Sequence, residues 1–124
     1  MTLAIDRIDG AGDIQRERVI LRATVDVDIG RYALFLCYSD DEGAPLSGIV
    51  PRAYWFEDKK IKVGDLVIVY SKTGRTSRKV NRDGRTSYFY YWESNEPLWL
   101  SANLIPVLIS VSGWTHGNGH RAAV

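Results

Sequence analysis

Apolar residues recur at every second position in almost every apolar segment of this chain. In ERVILRATV, the side chains of Val19, Leu21 and Ala23 fall on one face, and those of Arg18, Arg22 and Thr24 fall on the other. A period of two places successive side chains on opposite faces of a β-strand, whereas a helical stripe needs a period of roughly 3.6. No segment sustains a helical stripe, so the chain is predicted to fold from strands.

The segment RYALFLCY differs from the others because both of its faces are apolar. Leu34 and Leu36 fall on one face, while Ala33, Phe35 and Cys37 fall on the other. A strand with two apolar faces is covered on both sides or lies centrally in a sheet. This segment is therefore predicted to be such a strand.

Turn sequences such as SDDEGAP, KVGD and NRDG separate the strand-like segments. About seven to nine short strands with such turns predict an all-β fold, an immunoglobulin-like antiparallel β-sandwich. A five-stranded oligonucleotide-binding barrel is the competing fold. The length fits a single domain over residues 1–114, and the patternless residues 115–124 are predicted to form a flexible tail. The predicted core consists of Val19, Leu21, Leu34, Leu36, Phe56, Leu66, Ile68, Phe89, Trp92, Trp99, Val107 and Ile109.

The composition, 45% hydrophobic and 25% charged residues, is that of an ordinary globular domain. The N-terminus carries acids and arginines where a secretory signal needs an apolar core, and no apolar run reaches membrane-spanning length. Cys37 is the single cysteine, so no intramolecular disulfide can form. The sequence therefore predicts a soluble cytoplasmic protein without membrane contacts.

Charge is distributed unevenly along the chain, although the net charge is only +1. Residues 1–58 hold 6 basic and 11 acidic side chains, whereas residues 72–85 hold 6 basic side chains and one acid. The candidate polyanion-binding residues are Lys72, Arg75, Arg78, Lys79, Arg82 and Arg85. The aromatic segment that follows supplies three candidate interface residues, Tyr88, Tyr90 and Tyr91.

Two interpretations of this stretch remain open. Arginines and aromatics together are typical of a nucleic-acid-binding site, in which cations contact phosphates and rings stack on bases. The favoured interpretation is an exposed, mobile loop over residues 72–87 that leads into a packed strand, because like charges repel and glycines and hydroxyls favour hydration.

Catalytic chemistry finds little support in the sequence. The only histidines, His116 and His120, lie in the glycine-rich tail, where nothing rigid would orient them. Cys37 lies in the middle of an apolar strand, which favours an inert thiol. Asp26 and Asp28 flank a turn and are interpreted as solvated. No catalytic residue is predicted.

No metal or cofactor site is predicted either. The acidic run 40–42 lacks the alternating ligand spacing of a calcium loop and is interpreted as a charged turn. The two tail histidines have no further ligands nearby. Gly74 and Gly84 do not open a phosphate-binding loop, because no Gly-Lys-Ser/Thr motif follows either of them.

Three blocks, in order, resemble the lamin-tail domain, an immunoglobulin-like module known from nuclear lamins and found widely in bacteria. The blocks are ERVILRATVDVDIGRYALF, YWFEDKKIKVGDLVIVYSKTG and YFYYWESNEPLWLSANLIPVLISVSGW, which cover most of residues 17–114. Glu17 stands at the acidic position that opens the first block, and Trp92 and Trp99 match the tryptophans of the third. The resemblance implies an immunoglobulin-like sandwich without catalytic residues that serves in binding or scaffolding.

The sequence thus predicts a non-catalytic binding or scaffolding module that acts through protein–protein interaction, including self-association. Its 4 tryptophans and 7 tyrosines are more than a thin sandwich can bury, and exposed aromatics favour interfaces. The alternative is a nucleic-acid-binding module that uses loop 72–87 and the adjacent aromatics. An enzyme is the third hypothesis.

Overall fold

The structure is a computed structural model that describes residues 1–119. Ten strands and one short 3-10 helix account for its regular structure. The elements are β1 (Leu3–Asp9), β2 (Arg18–Ala23), β3 (Val27–Asp28), the 3-10 helix (Ile29–Arg31), β4 (Tyr32–Tyr38), β5 (Arg52–Trp55), β6 (Lys60–Ile61), β7 (Leu66–Tyr70), β8 (Ser77–Val80), β9 (Thr86–Tyr91) and β10 (Leu104–Ser110).

The strands form a five-stranded sheet in the order β1-β2-β7-β9-β8, a three-stranded sheet in the order β10-β4-β5, and a short β3-β6 pair. All neighbours are antiparallel except β7 and β9, which run parallel. After β7 the chain first forms the edge strand β8, and β9 then inserts between β7 and β8. The predicted all-β sandwich is confirmed. Its immunoglobulin-like character stays a prediction.

The core lies between the two larger sheets. β2 fixes the orientation of β7, since Val19 pairs with Val69 and Leu21 pairs with Val67, and all four side chains point inward. From the opposite sheet, β4 contributes inward side chains that include Leu34. Of the predicted core residues, those confirmed in the hydrophobic core are Val19, Leu21, Leu34, Leu36, Phe56, Trp92 and Trp99.

Four of the remaining core predictions are wrong in orientation, whereas Ile68 is buried as predicted but lies outside the main core cluster. Leu66, Ile68 and Phe89 alternate with inward side chains and therefore lie on the outer face of the five-stranded sheet, where Ile68 is nevertheless shielded by its neighbours. Val107 and Ile109 lie on the outer face of the three-stranded sheet, because their neighbours Leu104 and Leu108 pack on the core. The predicted alternation is present in β7, β9 and β10, but the inward-facing set of residues in these strands is the opposite of the predicted one.

Beyond β10 the chain still contacts the sandwich, where Val111 N–H donates a hydrogen bond to the carbonyl of Arg31 (2.7 Å). The ring of Trp114 meets Trp55 edge-on, with centroids 5.4 Å apart. Residues 115–119 contain no regular structure. The rest of the predicted tail, including His120, lies outside the described residues, so the flexibility of the tail stays a prediction.

Candidate interaction surfaces

The basic stretch folds as a hairpin. β8 pairs antiparallel with β9, from Ser77 opposite Phe89 to Val80 opposite Thr86. The turn closes through a hydrogen bond from Asn81 N–H to the carbonyl of Arg85 (2.7 Å). The prediction of an exposed, mobile loop over residues 72–87 is therefore wrong in secondary structure, because strands occupy Ser77–Val80 and begin again at Thr86. Exposure was predicted correctly, since all four residues of β8 are exposed. We name residues 75–85 the basic hairpin.

The cations of the basic hairpin have few acidic partners. Within residues 1–119, Arg85 is the one candidate cation that forms an ion pair, with Asp83 at 3.8 Å. By contrast, Arg7, Arg18 and Arg22 at the other edge of the same sheet pair with aspartates of β1. The sixth candidate cation, Lys72, lies 5.0 Å from the ring centroid of Tyr70. The hairpin is thus the end of the sheet with unbalanced positive charge.

A ladder of rings and cations crosses the outer face of the five-stranded sheet. Tyr70 and Tyr91 stack with their centroids 5.5 Å apart and their planes 13° apart. The guanidinium carbon of Arg18 lies 5.8 Å from the Tyr70 centroid. The main chain at Gly74 presses on Tyr91, since a Cβ added there would lie 2.3 Å from Cε1 of the ring. These contacts occupy the faces of Tyr70 and Tyr91, which leaves them poorly placed to stack on a base.

The other two candidate aromatics occupy different environments. Tyr90 is only 2% exposed and donates a hydrogen bond from its hydroxyl to Glu57 (2.9 Å), so it is a core residue rather than an interface residue. Burial, the hydrogen bond and the charge of Glu57 all raise the pKa of Tyr90 far above its ordinary value. Tyr88 is half-buried, with the ammonium of Lys59 5.8 Å from its ring centroid. Alternation along β9 turns Tyr88 and Tyr90 toward the core and Tyr91 toward the outer face of the sheet.

The contact between Gly74 and Tyr91 predicts the effect of a single methyl group. We expect Gly74→Ala to lower the free energy of unfolding by about 1–3 kcal/mol, because the new Cβ collides with the ring. Urea denaturation measures this cost. Gly113→Ala is the matched control, since no atom lies within 4 Å of a Cβ at that position. In a Tyr91→Ala background the cost should fall below about 0.5 kcal/mol; an undiminished cost there would contradict the contact.

A buried carboxylate joins three distant parts of the chain. Glu17 is fully buried and accepts main-chain hydrogen bonds from Gly12 (3.0 Å), Leu98 (2.8 Å) and Trp99 (3.0 Å). The hydroxyl of Ser71 donates a further hydrogen bond to it. None of the ion pairs within residues 1–119 involves this carboxylate. Glu17 thus acts as a structural acceptor that gathers four donors.

These partners belong to different sequence blocks. Glu17 opens the first block of the lamin-tail resemblance, Ser71 lies in the second, and Leu98 and Trp99 lie in the third. The burial of Glu17 is not predictable from the sequence, because its partners are mostly main-chain groups that leave no signature in the sequence. The hydrogen bonds to this carboxylate hold the three segments together.

The outer face of the three-stranded sheet is apolar at every strand position. The side chains opposite the core-facing ones carry no charge and no hydroxyl group. They are Ala33, Phe35, Cys37, Ala53, Trp55, Ile105, Val107 and Ile109. We name these eight residues the outer apolar face. In a two-layer sandwich this face normally carries polar side chains.

The segment between β4 and β5 adds to this surface. Leu46 and Val50 line a cleft of about 300 Å³ together with Phe35 and Val107 of the outer apolar face. Ile49, in the same segment, is 77% exposed. The segment therefore lies against part of the outer apolar face, beside the buried Cys37, and adds the exposed side chains of Leu46 and Ile49 to the surface. The sequence signalled this surface only through the two apolar faces of RYALFLCY.

The residues weighed for catalysis and metal binding serve local structure. Asp28 Oδ1 accepts hydrogen bonds from the main chain of Gly30 (2.9 Å) and Lys59 (3.0 Å), and Asp26 accepts one from Val63 (2.9 Å). Such contacts hold turns. Asp40 has the same role in the acidic run 40–42, where it accepts from the main chain of residues 42 and 44.

The thiol and the described histidine are not brought together with other reactive groups. Cys37 is buried, and desolvation raises the pKa of its thiol. The ring of His116 lies 6.1 Å from that of Trp114. Among residues 1–119, no group of three or more His, Cys, Asp or Glu side chains is placed to hold a metal ion.

No protein-family model, curated protein or solved structure matches this chain. In the described part of the chain, no helix has the length and apolar character needed to cross a membrane.

Proposed function

We propose that this chain is a non-catalytic protein-binding module that self-associates through the outer apolar face. The observation that carries the proposal is that all eight outward side chains of the three-stranded sheet are apolar, although only the central Ala33 and Cys37 among them are buried. A contiguous apolar surface of this kind marks an interaction site in soluble proteins. Trp55, which is 52% exposed, supplies an aromatic anchor of the type enriched in interfaces.

A second copy of the chain suits this face because the face carries no charge. In a two-fold interface the same surface patch of both copies meets, so a patch of one charge sign repels its equivalent whereas a neutral apolar patch does not. The basic hairpin, with its unbalanced cations, lacks this property. The proposed assembly is therefore a dimer with the two three-stranded sheets face to face.

The lamin-tail resemblance accords with a binding or scaffolding role and remains part of this proposal. The hydrogen bonds of Glu17 to the second and third blocks support it, since they join the three blocks that carry the resemblance within one structure. A nucleic-acid-binding role through the basic hairpin receives less support, because the faces of Tyr70 and Tyr91 are occupied within the protein.

Charge placed beside the outer apolar face should disrupt the dimer. We expect the double variant Leu46→Lys/Ile49→Lys to raise the dimer dissociation constant at least about tenfold, because two copies would then bring four ammonium groups into an apolar contact. Sedimentation equilibrium over a range of concentrations measures the constant. Both side chains are already largely exposed, so the fold should survive.

Val63→Lys serves as the control, because Val63 is a similarly exposed aliphatic residue away from the three-stranded sheet. It should leave the dissociation constant unchanged. A wild-type chain that stays monomeric at millimolar concentration would refute self-association. A dimer unaffected by the double variant would place the interface elsewhere.

A further inference from the structure

The outer edge of β8 is free. β8 is the last strand of the five-stranded sheet, and its other side has no strand partner within residues 1–119. Because Asn81 N–H bonds to the carbonyl of Arg85, antiparallel alternation directs the main-chain groups of Arg78 and Val80 away from β9. These groups form a short row of unpaired donors and acceptors, which is a template for an added strand.

Charge determines which strand fits this edge. Arg75, Arg78, Lys79 and Arg82 surround β8 without an ion pair in the described chain. Pairing with the β8 of a second copy would set like charges against each other across the new ladder, which is destabilising. An acidic strand would meet opposite charges at the same positions.

A cleft beside β8 offers a place for an acidic side chain. It has a volume of about 180 Å³, and its lining includes Arg78, Lys59, Thr76 and Tyr88. The one acid in the lining, Glu57, already accepts the hydroxyl hydrogen bond of Tyr90. Two cations and a hydroxyl are thus available to a carboxylate, and half of the side chains of an added strand would point to this side of the sheet.

We propose that the free edge of β8 binds an extended acidic peptide segment of a partner protein, which adds a sixth strand to the sheet. The main chain of the peptide pairs with Arg78 and Val80, and its carboxylates contact the cations of the basic hairpin and the cleft. A single-stranded nucleic acid fits less well, because its backbone lacks N–H donors and because Tyr70 and Tyr91 already stack on each other. This site is separate from the outer apolar face.

The test uses a fluorescent peptide of about eight residues that alternates glutamate and valine, since a strand of that length spans β8. A second peptide has the same sequence with every amide N-methylated, which preserves charge and removes all main-chain donors. We expect the N-methylated peptide to bind at least about tenfold more weakly in fluorescence anisotropy. Equal affinity of the two peptides would overturn strand addition.

Amide hydrogen exchange of the full chain gives a second, residue-specific readout. Binding of the unmodified peptide should slow the exchange of the Arg78 and Val80 amides at least about tenfold, because both become hydrogen-bonded. Absence of protection at both amides would overturn the proposal. So would tighter binding of an oligothymidylate of matched charge, which would assign the hairpin to nucleic acid instead.

Charge variants complete the experiment. Arg78→Gln should weaken binding of the unmodified peptide by roughly tenfold, because a charge-assisted contact is lost. Arg16→Gln is the matched control: Arg16 is exposed, forms no ion pair in the described chain and lies outside the basic hairpin. Equal weakening by both substitutions would show diffuse attraction and overturn the assigned site, as would the absence of any peptide binding to the wild-type chain.

Discussion

Replacement of Glu17 by glutamine is expected to lower the free energy of unfolding by about 3 kcal/mol. Glutamine has nearly the same shape but offers one acceptor oxygen in place of two, and its amide group would face main-chain N–H groups that have no alternative partner. Because Gly12, Leu98 and Trp99 all donate to this carboxylate, at least one buried donor is left unsatisfied. Thermal denaturation should show a loss of about 10 °C in Tm.

Glu42→Gln provides the matched control for the Glu17 variant. Glu42 is an exposed carboxylate in the acidic turn, so the same chemical change should alter stability by less than about 0.5 kcal/mol. Ser71→Ala should give a smaller loss than Glu17→Gln, because it removes only one of the four donors. A Glu17→Gln variant as stable as the wild type would contradict the structural role of this acid.

Introduction of aspartate at Val69 is expected to unfold most of the protein. Val69 is fully buried beside Val19, and no cation faces it within the core cluster. A carboxyl group there is either charged without a partner or neutral at the cost of a raised pKa, and either state costs several kcal/mol. Since a domain of this size is stable by about 5–15 kcal/mol, the folded population should fall sharply. Circular dichroism and soluble yield measure the effect.

The same substitution at two other positions tests the orientation of the strands. Val80→Asp should change stability by less than about 0.5 kcal/mol, because Val80 is 66% exposed. Leu66→Asp should cost about 1 kcal/mol, since Leu66 lies half-buried on the outer face. If Leu66→Asp unfolded the protein and Val69→Asp did not, β7 would have the orientation that the sequence predicted.

Periodicity allowed the fold class to be predicted, but it did not identify the buried face of every strand. In LVIVY (residues 66–70) every position is hydrophobic, so the local pattern fits either orientation of the strand. In SYFYYW the predicted core residues include both Phe89 and Trp92, although positions three apart cannot share a face of a regular strand. Cross-strand pairing with β2 and β7 resolves both cases, by placing Val69 and Tyr90 inward.

The basic hairpin shows a different limit of sequence reasoning. Its charge and glycines indicated a mobile loop, and local propensity gave no reason to place a strand at Ser77–Val80. β8 forms main-chain hydrogen bonds with β9, and the hydrogen bond between Asn81 and Arg85 closes the turn. These hydrogen bonds outweigh the repulsion among the cations, which is weak because the cations are exposed and hydrated. The exposure of the cations was predictable from their charge, whereas the free strand edge was not.

The sequence by itself determined the strand-based fold, most of the core contributed by β2 and β4, and the position of the unbalanced positive charge. These properties follow from period-two patterning and composition, which are local and additive along the chain. Only the tertiary structure decided that Glu17 is buried, that Tyr90 belongs to the core, and that one face of the three-stranded sheet is wholly apolar. Each of these depends on contacts between residues far apart in sequence, and such contacts are fixed when the sheets pair and pack.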